Sequence, residues 1–152
     1  MPHLLRVSEA ASLALHASAL LAAAEGKKLL TRGRMAEFLN VSEAHLTKVL
    51  QRLGKLGLVC SVRGPTGGFR LDKPAEDISL LEVYEAIEGP VSKENCLLRE
   101  QVCRGSECVL GDLLKLVNED GKRYLAKTNL KTVGKKGGAN LLKEMEKTKK
   151  QK

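Results

Sequence analysis

Tryptophan is absent from this chain of 152 residues, and phenylalanine and tyrosine occur only twice each. A core must therefore be built from Leu, Val and Ala, a set that suits closely packed helices. No apolar run is long enough to cross a bilayer. The Ala-rich stretch 10–24 comes nearest, but Glu9 and His16 break its apolar character and Arg6 is the only cation ahead of it, so it reads as a buried helix rather than a secretory leader. The chain also lacks a Cys-x-x-Cys redox pair, a nucleotide-binding glycine loop and any acid–base constellation, which argues against an enzyme. Four cysteines in a Lys-rich chain fit a reducing compartment, the cytoplasm.

What the chain does have is basic charge, distributed unevenly. The formal net charge is +8. Residues 27–73 hold ten Lys/Arg against Glu37, Glu43 and Asp72, while residues 74–121 hold four against eleven acids. Residues 122–152 are basic again, with eleven Lys/Arg against Glu144 and Glu146. A cationic segment of this kind attracts phosphates.

Local signals inside the basic segment 27–73 point the same way. Ser8 is a candidate cap for a first helix over 9–24 that Gly26 closes, and Thr31 for a second through Leu39. Asn40-Val41-Ser42 then makes a tight turn into a third helix, the spacing of a helix-turn-helix. Ser42 can cap that helix and Val41 can pack on Leu46 as a staple. Leu46, Val49, Leu50 and Leu53 form one buried row, and His45, Lys48 and Arg52 repeat at i, i+3 and i+7 on another face. Donors and cations on such a face suit a groove lined by phosphates and base edges. Residues 58–62 and 69–71 read as two strands joined by Arg63-Gly64-Pro65-Thr66-Gly67-Gly68. A hairpin with Arg63 at its tip, directly after a reading helix, is a wing able to place that Arg toward a minor groove. The expectation is a DNA-binding winged helix-turn-helix.

Beyond the wing, Ser79 and Glu82 form a capping box, with Ile78 and Val83 as its staple, for a helix that Gly89-Pro90 end. Leu110, Leu113, Leu114, Val117, Gly121 and Tyr124 trace one stripe of a long helix over 107–127. Thr128 is the candidate cap of a last short turn. Gly134–Gly138 reads as a linker, and 139–152 as a flexible or loosely helical basic tail that adds non-specific DNA affinity.

Cys96, Cys103 and Cys108 follow the pattern C-x6-C-x4-C, while Cys60 sits apart on the first wing strand as a small apolar residue. A single disulfide would leave an odd thiol. Spacing alone leaves three readings open: an iron–sulfur cluster, structural zinc, or redox-active thiols.

The segment LTRGRMAEFLNVSEAHLTKVLQRLGKLGLVCSVRGPTGGFRL, then ISLLEVYEAIEG, then three cysteines before a long helix, resembles the IscR/NsrR-type (Rrf-two) family of bacterial regulators over residues 8–133. Its most specific piece, GLVCSVRGPTGGFRL, is close to that family's wing signature G-L-V-x-S-x-R-G-x-x-G-G. The resemblance implies a mainly α fold with a small β-hairpin wing, in which a long C-terminal helix forms the interface of a homodimer. It divides the chain into a winged helix-turn-helix at 1–90, a three-Cys sensor loop and dimerisation helix at 91–133, and the tail at 134–152. It further implies a palindromic DNA operator and an iron–sulfur cluster of two-iron or four-iron type, through which promoter binding reports iron–sulfur status, redox state or nitric oxide. Carried over by position, Ser42, His45, Lys48 and Arg52 face the major groove or its phosphates, Arg63 and Gly64 serve the wing, and Cys96, Cys103 and Cys108 hold the cluster. The family prototype spaces its cysteines C-x5-C-x5-C; here the middle one is moved by a residue and the outer separation is kept. The His that follows the third Cys in some relatives is missing. Glu9 stands where other members place an acidic ligand reached across the dimer, and it equally suits the positive end of a helix dipole. Two alternatives to a cluster regulator are a thiol/disulfide redox regulator and a zinc-braced winged-helix protein-interaction module.

Overall fold

The computed structural model describes residues 7–91, 109–110 and 112–150; Cys96, Cys103, Cys108 and the loop that carries them lie outside the described residues. Helix α1 (Glu9–Ala23) is the pivot of the fold. Ser8 caps it, its Oγ accepting from the Ala11 amide at 3.1 Å. Nine of its fifteen residues are buried, with Ala11, Ala14, Ala17 and Leu20 fully covered. Small side chains let neighbours approach on several sides, and each buried aliphatic group contributes to the hydrophobic driving force.

Helix α2 (Arg32–Leu39) begins at a Thr31 cap and ends at Asn40, which adopts the left-handed conformation with φ 53°. Helix α3 (Glu43–Lys55) follows after the three residues Asn40-Val41-Ser42 and is capped by Ser42. The hairpin comprises β1 (Val59–Val62) and β2 (Gly68–Leu71), paired antiparallel from Val59↔Leu71 to Val62↔Gly68. Leu30 adds a short third rung, exchanging both backbone hydrogen bonds with Phe69 at 3.2 and 2.8 Å, so the base of the wing is fastened to the start of α2. After a single 3-10 turn (Ala75–Asp77), helix α4 (Leu80–Glu88) opens on the capping box of Ser79 and Glu82, with the staple residues Ile78 and Val83 fully buried. This is a mainly α winged helix-turn-helix with a hairpin wing, followed by C-terminal helices.

Helix α5 (Leu113–Lys127) has no buried residue. Leu114, Val117, Gly121 and Leu125 are half-buried, whereas Leu113, Leu116 and Tyr124 are exposed, Tyr124 at 64 %. The chain is then clipped to the start of α4: Leu80 donates to the Thr128 carbonyl at 2.9 Å and Leu130 donates to the Ile78 carbonyl at 2.8 Å. Asn129, rather than Thr128, caps helix α6 (Leu130–Val133), its side chain accepting from the Thr132 amide at 3.0 Å.

The sequence suggests a linker at 134–138 and a flexible or loosely helical tail after it; the structure is helical through both. Gly134–Gly138 forms a wide helical turn that joins α6 to helix α7 (Ala139–Lys150) without a break. The reason is contact. A Cβ on Gly138 would lie 2.4 Å from the Ala19 carbonyl oxygen, and one on Gly134 would lie 2.9 Å from the Ala22 Cβ. The glycines that look like a linker are the surface on which this segment meets α1, and that burial offsets the ~1 kcal/mol per residue by which glycine disfavours helix. Leu142 and Met145 extend the contact and are 7 % and 3 % exposed.

One buried group stands out. Ser18, 1 % exposed on α1, has a hydroxyl with no hydrogen-bond partner among the described residues. Ser18→Ala removes that cost and improves helix propensity, so it is expected to stabilise the chain by about 1 kcal/mol, raising Tm by about 2–4 °C in a thermal melt.

Candidate nucleic-acid interface

Helix α3 is positioned by its apolar row. Leu46, Val49, Leu50 and Leu53 are at most 2 % exposed and lock α3 onto the core. The Ser42 Oγ accepts from the His45 amide at 3.1 Å, and Arg32 Nε donates to Glu43 Oε2 at 2.8 Å, tying α2 to the first turn of α3. At 3.6 residues per turn, positions 44, 48, 51 and 55 lie opposite the buried row. Ala44, Lys48, Gln51 and Lys55 are accordingly all exposed.

The structure separates the residues that the sequence groups on one face. Lys48 points outward. His45 is half-buried and leans toward the start of α1, its Nδ1 3.8 Å from Glu9 Oε1. Arg52 leans the same way, donating from its guanidinium to the Ile87 carbonyl at 3.3 Å at the end of α4. Between them runs a groove of about 370 Å³ lined by His45, Lys48, Gln51, Arg52 and Lys55, with no carboxylate in its wall. A groove walled by cations takes an anion, and a phosphate backbone fits that chemistry. Gln51 and Lys55 are absent from the sequence-derived set because the i, i+3, i+7 cation pattern draws attention to one flank. The signal that finds them is the helical position opposite the leucines.

The wing holds the next candidates. Arg63 and Gly64 are both exposed at the turn, and Gly64 has φ 118°. The Gly67 amide donates to the Gly64 carbonyl at 3.0 Å, and a Cβ at Gly67 would lie 2.3 Å from the Val62 carbonyl oxygen. Glycine is therefore a steric requirement of the turn that presents Arg63. Cys60 faces Arg70 across the ladder. Burial, with help from a hydrogen bond to Asp72, pushes its thiol up, away from reactive thiolate character.

Glu9 sits in the first turn of α1 with a side chain 79 % exposed. Around it Ser8 bonds Glu88 at the end of α4, so α1, α3 and α4 meet at the point where the cysteine-bearing segment departs. The thiols of Cys96, Cys103 and Cys108 lie outside the described residues, and among the described residues no cluster of His, Cys, Asp and Glu could hold a metal. No described helix is long and apolar enough to cross a membrane.

A family model described as "Rrf2: Iron-dependent Transcriptional regulator" matches residues 7–136. The regulator NsrR of Shouchella clausii is 36 % identical over 89 residues, 59 % of this chain and 57 % of that protein. IscR of Photorhabdus laumondii is 33 % identical over 96 residues, 63 % of this chain and 58 % of that protein. The match thus spans little more than half the length of either relative. Among solved structures, CymR of Staphylococcus aureus superposes with a TM-score of 0.70 at 28 % identity, covering 84 % of this chain and 96 % of that one, and it has been solved in an oxidized form as well.

Proposed function

The chain belongs to the Rrf2 family of DNA-binding transcriptional regulators, which are not enzymes, and on that premise we propose that it is a homodimeric regulator controlled by an iron–sulfur cluster. The observation that carries the DNA reading is the carboxylate-free, cationic face of α3, directly followed by a glycine-built wing with Arg63 at its tip. In this reading α3 lies in the major groove of one operator half-site, with Lys48, Gln51 and Lys55 toward bases and phosphates. Ser42 fixes where the helix starts. His45 and Arg52 hold α3 against α1 and α4 while contributing charge to the groove, and Arg63 and Gly64 serve the wing. A second copy of the chain, seated on the exposed apolar row Leu113, Leu116 and Tyr124 of α5, gives the two half-sites of a palindrome.

Three thiols are the donor set that iron–sulfur clusters take, and the family model is itself described as iron-dependent. Cys96, Cys103 and Cys108 would hold the cluster, and the exposed carboxylate of Glu9 is suited to complete the set. Bound, the cluster supplies a redox-sensitive iron centre. Glu9 also faces His45 on the reading helix, so a change in what its carboxylate contacts biases the seating of α3. As a DNA-binding regulator of this family it would act in the cytoplasm.

Protein purified without air is expected to carry iron and sulfide and to absorb visible light. Cys96→Ser, Cys103→Ser or Cys108→Ser should each remove that absorption. A chromophore that survives the triple substitution refutes the ligand set, and zinc in place of iron supports the interaction-module reading. The likeness to CymR, known also in an oxidized form, favours one second reading, direct thiol oxidation without a cluster. Mass spectrometry of the reduced and oxidised chain identifies it by a disulfide among these three cysteines.

A further inference from the structure

We propose that helix α7 is an accessory DNA-backbone arm, with Lys143 and Lys147 contacting phosphates that flank the stretch read by α3. The inference rests on the reading of α3 as the DNA-reading helix and adds to it a surface on a different element. Three observations carry it.

The first is where α7 goes. Its beginning packs against Ala19 through Gly138, and its later turns reach the start of α2: Arg34 donates to the Met145 carbonyl at 3.3 Å, and Lys28 bonds Glu146. The first helix of a helix-turn-helix is the one that crosses the phosphate backbone. The chain thus carries the C-terminal half of α7 to the edge of the domain where that backbone runs.

The second is what α7 presents there. Its inward row, Gly138, Leu142 and Met145, is buried. Opposite that row lie Asn140, Lys143 and Lys147, all exposed. From Asn140 to Lys147 the row extends about 10 Å at the α-helical rise. No acid interrupts it.

The third is how the acids are disposed. Glu146 is turned toward the domain and bonded to Lys28, which holds its carboxyl below the usual range. Glu144 pairs with Lys147 at 2.6 Å across one turn of the exposed surface. An exposed pair of that kind contributes about 0–1 kcal/mol and yields readily to a phosphate. Lys143 makes no ion pair among the described residues. An acid-free outer row carrying Lys143 and Lys147 beside a backbone-crossing helix fits a polyanion of fixed geometry, the flanking duplex.

The test is the salt dependence of binding to a duplex that the native chain prefers over random DNA, extended on both sides. Each phosphate neutralised contributes about 0.9 to the slope of log K against log salt. K143Q/K147Q is therefore expected to flatten the slope by about 2, so that between about 50 and 200 mM salt it loses roughly tenfold less affinity than the native chain. Its preference for the operator over random DNA should not change. K135Q/K136Q, at the far end of the segment, should leave the slope as it is. An unchanged slope in K143Q/K147Q, with native operator preference intact, overturns the arm and leaves the DNA reading standing. Equal flattening by both pairs also overturns it, since the effect would then be net charge rather than place. A native chain with no operator preference overturns the DNA reading itself. Circular dichroism at 222 nm checks that α7 is retained, which neutral Gln at exposed positions should allow.

Discussion

A Gly138→Val chain is expected to melt roughly 5–10 °C below the native one, a loss of about 2–3 kcal/mol. The Cβ alone would stand 2.4 Å from the Ala19 carbonyl oxygen, and the two methyl groups of valine enlarge the clash. The neighbour is backbone of a buried helix, so nothing can rotate out of the way. Relief comes only when the segment after α6 lifts off α1, which exposes Leu142 and Met145 as well. Overpacking of this kind costs more than the gain in helix propensity from replacing a glycine. Gly137 is the control. A Cβ there meets nothing within 4 Å, so Gly137→Ala in the same helical turn should stabilise by about 0.5–1 kcal/mol. Opposite signs at adjacent glycines, read in one thermal-melt series, identify contact with α1 as the cause. Equal and small effects at both positions would mean that the segment does not pack there.

Charge reversal at Lys48 is expected to have the largest effect on DNA. Lys48→Glu places a carboxylate at the centre of the outward row of α3, so binding to a preferred duplex should fall by about 3 kcal/mol, roughly a hundredfold. Lys48 is exposed and makes no ion pair among the described residues, so Tm should stay within the narrow range of ordinary surface substitutions. Arg52→Ala should behave in the opposite manner. Its guanidinium donates to the Ile87 carbonyl, and losing that bond costs about 1 kcal/mol of stability while DNA affinity falls less than tenfold. A larger affinity loss for Arg52→Ala than for Lys48→Glu in gel shifts would move the centre of the reading face back to the flank defined by His45 and Arg52.

Much of the architecture is legible in the sequence because it is locally determined. Ser8, Thr31, Ser42 and Ser79 cap the helices they precede, and Glu82 closes the box, because an N-cap needs only a side-chain oxygen three residues ahead of an amide. The glycines of the wing announce their turn for a similar reason. The division of labour on α3 is not local. Whether a cation points to solvent or to a neighbouring carbonyl depends on where α1 and α4 pass, so His45, Lys48 and Arg52 look equivalent in sequence and are not in space. The reading of 134–138 as a linker fails on the same ground. Glycine breaks a helix in isolation, but here the fold supplies Ala19 and Ala22 as a surface that only glycine can meet.

The pairing of residues 78–80 with 128–130 has a mechanical consequence. α5 buries no residue of its own, whereas Ile78, Leu80 and Val83 before it and Leu130, Leu142 and Met145 after it are buried. The two backbone hydrogen bonds at 2.9 and 2.8 Å, with the packing of α5 along α4, are the places about which α5 would turn. Over fifteen residues that helix is about 22 Å long, so a rotation of about ten degrees there would carry its far end at Leu113 through about 4 Å. A small displacement at Leu113 would thus be felt as a change of angle at the start of α4, the helix whose other end Arg52 grips from α3.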